Sequence, residues 1–397
     1  LADNVLLFDI GTTTISGAIV DKAKAVVLSS ASVLNGQLRL GDDLISRIDF
    51  ALKNSKDAMR LQKAVVSSAN KLLALLLTDS GLKKADIKGV FCVCNTGMHH
   101  LMLGIDPAPL VTPPYRPAQK AEITVYAERI GIDLAEGCPV TFLPNIGGFV
   151  GSDALSVIIA GGIYNSRAVR LAIDIGTNGE VILGNKDRIF AASTAAGPAF
   201  EGRHISCGSL PVKGAIESVK IKGKRVEIKV IGGGPPKGIC GSGLIDAVSQ
   251  MLKTGAVDKS GRISGGEFVI YERGKRKISI TQQDMRKVQL AKAAIYAAIK
   301  TLLRKSNIAE SDIKEVLITG KFGNVINPDS IAAIGFIPQV PRKAVRFLKN
   351  GALEGLRLYL SRPPLKKGLA GILSKTRHIP LLGKGFTEDF TSSLFMG

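Results

Sequence analysis

The sequence predicts an α/β chain of two similar lobes, and three observations predict it. The tetrad Asp-Ile-Gly-Thr occurs twice, at Asp9–Thr12 and Asp174–Thr177, 165 residues apart, about one domain length. Each copy ends an apolar strand-like run and leads through a polar turn into another. Val5–Phe8 precedes and Ile15–Val20 follows the first; Val169–Ile173 precedes and Val181–Leu183 follows the second. Strand and helix signals alternate along the rest of the chain, as in a layered α/β fold. The expected organisation is a first lobe over 1–165, a second over 166–345, and C-terminal helices over 346–397 that return to the first lobe.

In the first lobe, helical periodicity runs through 43–80, with Leu44, Ile48 and Leu52, then Leu61, Val65, Leu72 and Leu76. A strand follows at Gly89–Cys94. Pro107, Pro109, Pro113, Pro114 and Pro117 then mark a loop. Thr141–Leu143 reads as a strand, Gly147, Gly148 and Gly151 as a turn, and 153–159 as a helix. In the second lobe, Val219, Ile221 and Ile228 alternate with Lys220, Lys222, Lys224, Arg225 and Lys229, as in an exposed hairpin over Ser218–Ile231. A Gly/Pro turn at Gly232–Pro236 leads through Gly238–Gly243 into a helix over 244–252. The helix over 282–305 carries an Ala-rich stripe, and Thr281 with Asp284 resembles a capping box at its start. The strand Glu315–Thr319 leads into Gly320–Asn324.

Composition narrows the class. The chain of 397 residues is 45% hydrophobic and 22% charged, which suits globular domains rather than disorder. No apolar run approaches the roughly 20 residues of a membrane span, and the N-terminus enters a strand with no signal-peptide pattern. A cytoplasmic protein with no membrane partner is expected. Cys92, Cys94, Cys138, Cys207 and Cys240 form no C-x-x-C pair, so they read as buried free thiols rather than a disulfide framework or a cluster motif. The formal charge of +20 attracts nucleotides, acidic proteins or nucleic acid without choosing among them. Only 5% of residues are aromatic and no recognition motif is present, so nucleic acid is not the expected partner.

The chemistry centres on the duplicated tetrad. A triphosphate needs a hard cation, and Mg²⁺ takes one or two carboxylates while keeping most of its waters. Asp9 and Asp174, one strand end per lobe, suit that metal and catalytic role. Gly11 and Gly176 let backbone amides approach phosphate, and Thr12, Thr13, Thr14, Thr177 and Asn178 add donors. A single Asp-x-Gly-Thr is also an ordinary turn; two copies in matching contexts point to phosphate. Gly241, Ser242 and Gly243, with Gly320, Gly323 and Asn324, suit close backbone approach to a nucleoside. His99 and His100 are adjacent and point apart, which favours a structural or ribose-proximal loop over a chelate. His204 and Cys207, beside Ala199–Gly202, are lesser candidates for contact with a ligand.

These elements in this order resemble the acetate and sugar kinase, heat-shock chaperone and actin superfamily. The resemblance sharpens with Gly41–Ile48, Asn95–Pro107, Leu143–Gly151, Ala195–Gly202, Gly238–Asp246, Ile280–Ala294 and Gly320–Asn324. Together these resemble the nucleotide-binding region of the reductive activators of corrinoid iron–sulfur proteins, over nearly the whole chain. The resemblance implies two RNase-H-like lobes, an actin/sugar-kinase-like ATPase fold, with an interlobe nucleotide cleft. It also implies ATP and Mg²⁺ as cofactors, ATP hydrolysis, and a corrinoid iron–sulfur protein as partner, returned from Co(II) to Co(I) with an electron from a low-potential donor. Members of that family usually carry an iron–sulfur cluster on a further domain; here the cluster is expected only on a missing domain or a separate protein. A homodimer is the expected assembly. A small-molecule kinase or a nucleotide-sensing module on the same fold are the rival readings.

Overall fold

A computed structural model describes residues 3–223, 225–320 and 326–397. The chain divides into two compact units. The first comprises 1–166, 186–191 and 351–378; the second comprises 167–185, 192–350 and 379–397.

The first unit begins with β1 (Asn4–Ile10), β2 (Thr14–Asp21) and β3 (Val26–Leu34), followed by α1 (Leu44–Lys53) and α2 (Ser55–Ser80). The single helical stretch expected over 43–80 is two helices. Asn54 takes an extended backbone, and its side-chain oxygen accepts from Asp57 N, so it ends α1 and caps α2. Next come β4 (Ile87–Cys94), α3 (Thr96–Leu103), α4 (Ala108–Val111), β5 (Ile123–Tyr126), α5 (Ala127–Ile130), β6 (Pro139–Phe142) and α6 (Ser152–Ala160). The sheet order is β3-β2-β1-β4-β6-β5. β1 and β2 are antiparallel, whereas β1 and β4 run parallel, with Asp9 beside Val93 and Ile10 beside Cys94. Leu6, Phe8, Ile10, Ile15 and Ile19 join Leu61, Val65, Ala69, Leu72 and Leu76 of α2 in one buried core. By strand alternation Val5, Leu7 and Asp9 project to the opposite side.

The second unit repeats this plan. It holds β7 (Val169–Ile175), β8 (Gly179–Gly184) and β9 (Ile189–Thr194), the first three residues of β9 being grouped with the first unit. It continues with β10 (Ala215–Lys222), β11 (Arg225–Val230), β12 (Gly238–Ile239), α7 (Gly241–Thr254), β13 (Glu267–Arg273), β14 (Arg276–Thr281) and α8 (Gln282–Ser306). Then follow β15 (Ile313–Gly320), α9 (Pro328–Ala333) and β16 (Val345–Phe347). Its sheet is ordered β16-β15-β7-β8-β9, with β7 antiparallel to β8 and parallel to β15. In both units, then, the strand that leads into the Asp-Ile-Gly-Thr turn has a hairpin partner on one side and a parallel strand on the other.

The remaining elements are α10 (Gly351–Ser361), α11 (Pro363–Lys375) and β17 (Thr376–His378), all in the first unit, and α12 (Lys384–Ser392), in the second. β17 pairs in parallel with Ile189–Ala191. α10 crosses α6 so closely that a Cβ on Gly355 would lie 1.9 Å from the Ser156 carbonyl oxygen. α12 packs on α8, where Thr301 and Arg304 donate to Asp389. No helix among the described residues is long and apolar enough to cross a membrane.

Candidate functional site

In the first unit, β1 ends at Asp9-Ile10 and the chain turns through Gly11-Thr12-Thr13 into β2. Gly11 N donates to Thr14 O at 3.1 Å, closing the turn. Asn35, after β3, holds it from one side: its Nδ2 donates to Gly11 O at 3.0 Å, and its backbone N donates to Thr13 O at 2.9 Å. Asn95, after β4, holds it from the other. Asn95 is the N-cap of α3, with its Oδ1 accepting from Met98 N at 2.9 Å, which leaves Nδ2 to donate to Thr12 Oγ1 at 3.1 Å. Parallel pairing of β1 with β4 delivers Asn95 there. Thr12, Thr13 and Thr14 are buried.

A fully buried arginine underlies this arrangement. Arg47 on α1 donates from Nε to Gly41 O and from Nη1 to Gln37 Oε1, in the segment that follows Asn35. Its motif, Gly41–Ile48, thus supports the Asn35 loop.

Asp9 lies opposite Ser16 across the hairpin. Asp153, in the first turn of α6, escaped the sequence reading. Burial, then the charges of Asp153, Cys92 and Asp9, push the Cys94 thiol upward, so both carboxylates act on that strand end. Ser152 fixes the helix there by donating from Oγ to Cys94 O and accepting from Cys94 N. The signal was the Gly-rich turn followed by Ser-Asp at a helix start.

In the second unit, β7 ends at Asp174-Ile175 and turns through Gly176-Thr177-Asn178 into β8. Asp174 lies opposite Glu180, so two carboxylates share one face of this hairpin where the first has an aspartate and a serine. Glu180 is buried and accepts from Ser193 Oγ on β9 at 3.2 Å. Glu201 closes a 3-10 turn, Pro198–Glu201, whose Phe200 packs edge-on against Phe336. Its Oε2 accepts from Thr177 Oγ1 at 2.7 Å, and Gly197 N donates to Thr177 O at 2.9 Å. The 197–201 segment therefore grips the turn through both backbone and side chain. Sequence reasoning named neither Glu180 nor Glu201 as a site residue, though Glu201 stands inside the Ala195–Gly202 stretch.

β15 runs parallel to β7 with Gly320 beside Ile175. Gly320 has φ 120°, and a Cβ there would lie 2.4 Å from Ile175 O, so only glycine fits. Gly323 and Asn324 lie outside the described residues. Gly241, Ser242 and Gly243 open α7 and are all buried. Ser242 Oγ donates to Glu217 O at 2.9 Å, and Gly243 sits against the Ile216 carbonyl, so these residues seat α7 on β10.

Three expectations need correction. His99 and His100 are not in a loop: both are buried on α3, His99 edge-on to Phe142. His100 donates from Nδ1 to Thr96 O and accepts at Nε2 from Ala118 N, a neutral tautomer. The Asn95 cap converts that stretch to helix. Cys207 is partly exposed rather than buried, unlike the other four cysteines. The basic hairpin is present as β10–β11, but Val219 is buried against α7 rather than exposed.

Two Asp-Ile-Gly-Thr hairpins on duplicated sheets define an ASKHA-type protein, and the comparisons agree. The family profile for the C-terminal, ASKHA domain of RACo matches residues 168–397, and that for the RACo middle region matches 5–166. The chain belongs to the RACo family of corrinoid activators. It is 34% identical to the corrinoid activation enzyme RamQ of Eubacterium limosum, over 99% of this chain and 70% of that protein. It is 25% identical to the Co(II) methylated amine-specific corrinoid protein reductase of Methanosarcina barkeri, over 91% of this chain and 70% of that protein. The solved structure of a reductive activator for corrinoid, iron-sulfur protein superposes with a TM-score of 0.93 at 36% identity, covering 100% of this chain and 66% of that one.

Proposed function

We propose that this chain is the ATP-handling part of a corrinoid activator that returns Co(II) on a partner corrinoid protein to Co(I). The observation that carries the reading is the repeated hairpin, with Asp9 in one unit and Asp174 in the other, each beside a threonine turn. The relatives' names supply the partner chemistry. The donors at the turns are hard oxygens, from carboxylates and hydroxyls, which fit Mg²⁺ and not a soft metal. No group of three or more His, Cys, Asp or Glu able to hold a metal occurs among the described residues. That suits a cation carried mainly by phosphates and water. Asp9 and Asp174 would hold it, and it would neutralise charge on the phosphates.

The residues of this chain then do the following. The Gly11–Thr13 turn and the backbone amides of the Gly176–Asn178 turn bind phosphate oxygens, while Gly320 and Gly241–Gly243 border the nucleoside. Asp9 and Asp174 orient water against the terminal phosphate, whose release gives ADP and phosphate. The electron is separate: one electron from a low-potential donor converts Co(II) to Co(I), and ATP supplies no electron. Nucleotide binding acts by favouring one partner-bound state over another.

The test is ATP hydrolysis by the purified chain, with and without a Co(II) corrinoid protein, under anaerobic reductant with an electron donor. Partner-stimulated hydrolysis and a Co(I) absorbance signal are expected. Asp9→Asn and Asp174→Asn should each lower turnover by about 100-fold or more with the circular dichroism spectrum unchanged. Wild-type turnover in both variants would remove the hairpin assignment.

A further inference from the structure

The two matched threonines are polarised in opposite senses. Asn95 cannot turn its amide around, because its Oδ1 is the α3 cap; its Nδ2 therefore donates to Thr12, and Thr12 Oγ1 is an acceptor in that bond. The hydroxyl proton of Thr12 is left for an outward bond, which suits an anionic phosphate oxygen. At Thr177 the relation reverses: its single hydroxyl proton goes to the Glu201 carboxylate, so Thr177 meets any further partner as an acceptor. An acceptor oxygen on the hairpin that also carries Asp174 and Glu180 suits a cation or a cation-bound water, and repels phosphate oxygen.

We propose that Glu201 is a positioning residue that sets Thr177 as an oxygen acceptor for the hydrated divalent cation of the bound nucleotide, while Asn95 sets Thr12 as a donor to phosphate. This rests on the ATP reading above. The two threonine hydroxyls are thereby divided in labour: that of Thr12 meets the anion, that of Thr177 its counter-cation. Identical Asp-Ile-Gly-Thr tetrads acquire different roles from one neighbour each, an asparagine amide after β4 and a glutamate carboxylate after β9.

Calorimetric titration with the non-hydrolysable β,γ-imido analogue of ATP tests this, once with Mg²⁺ and once with excess EDTA. The readout is the factor by which Mg²⁺ tightens binding. In Glu201→Leu, which removes the acceptor, and in Thr177→Val that factor should fall by about tenfold, with the affinity in EDTA within about twofold of wild type. The double variant should fall no further, because Glu201 acts through Thr177. Thr177→Ser, which keeps the hydroxyl, should retain the wild-type factor and serves as the control should Glu201→Leu fail to fold. Thr12→Val should weaken binding equally with and without Mg²⁺. Equal losses in both media for Glu201→Leu and Thr177→Val would reduce Glu201 to a structural support and overturn the proposal. A wild-type chain that binds the analogue in neither medium would overturn the nucleotide reading itself, and the proposal with it.

Discussion

His99 shows what a single buried residue imposes. It is fully buried, and neither ring nitrogen has a hydrogen-bond partner. Burial first, and the neighbouring His100 second, push its pKa from 6.5 down to about 3. The unfolded chain therefore binds a proton below pH 6.5 that the folded chain refuses. Stability is full above pH 6.5 and falls as the pH drops from there towards 3, by about 1.4 kcal/mol per pH unit from this group. Chemical denaturation at pH 7 and pH 5 should show the wild type losing about 2 kcal/mol more than His99→Phe; equal losses would place a proton acceptor beside the ring. Asp284 is shifted the same way as His99 but by a different cause. Burial acts to raise its pKa, but donors from Ser206 and Thr281 outweigh that and hold it below the ordinary range.

Among elements, the α6–α10 crossing is the tightest contact that a simple substitution can probe. The Gly355 position leaves no room for a methyl group against the Ser156 carbonyl, so Gly355→Ala must push two helices apart. A loss of about 1–3 kcal/mol is expected in equilibrium unfolding. A neutral Gly355→Ala would mean that α10 slides without cost. Lys292 secures another element. It is buried on α8, and its ammonium donates to the carbonyls of Ser393 and Phe395, fastening the segment after α12. Met396, beyond it, is fully buried.

For the molecule as a whole, a net charge of +20 is a source of self-repulsion, since cations outnumber anions by 53 to 33. Ion pairs such as Lys222–Glu227, Lys229–Glu217 and Arg342–Asp329 are largely on the surface, where pairing contributes little. Raising the salt from 20 to 300 mM KCl shortens the screening length and should raise the melting midpoint by about 2–5 °C. A midpoint that falls with salt would show that specific ion pairs outweigh the net repulsion.

The repeated hairpins, the long helices and the order of elements are legible in the amino-acid sequence alone. Those are encoded locally, in apolar periodicity, in caps such as Thr281 with Asp284, and in glycine turns that act over a few residues. The β13–β14 hairpin carries a weaker local signal, because Ile278 and Ile280 alternate only on the strand after the Gly274 turn and its outer positions are charged. Which side chain polarises which turn is set by the folded arrangement. Asn95 reaches Thr12 across 83 positions because β1 and β4 pair in parallel. Glu201 reaches Thr177 because a 3-10 turn folds back on the hairpin. No local pattern specifies either approach: hydrogen-bond direction depends on which donor arrives, and sheet pairing and loop packing set the arrival.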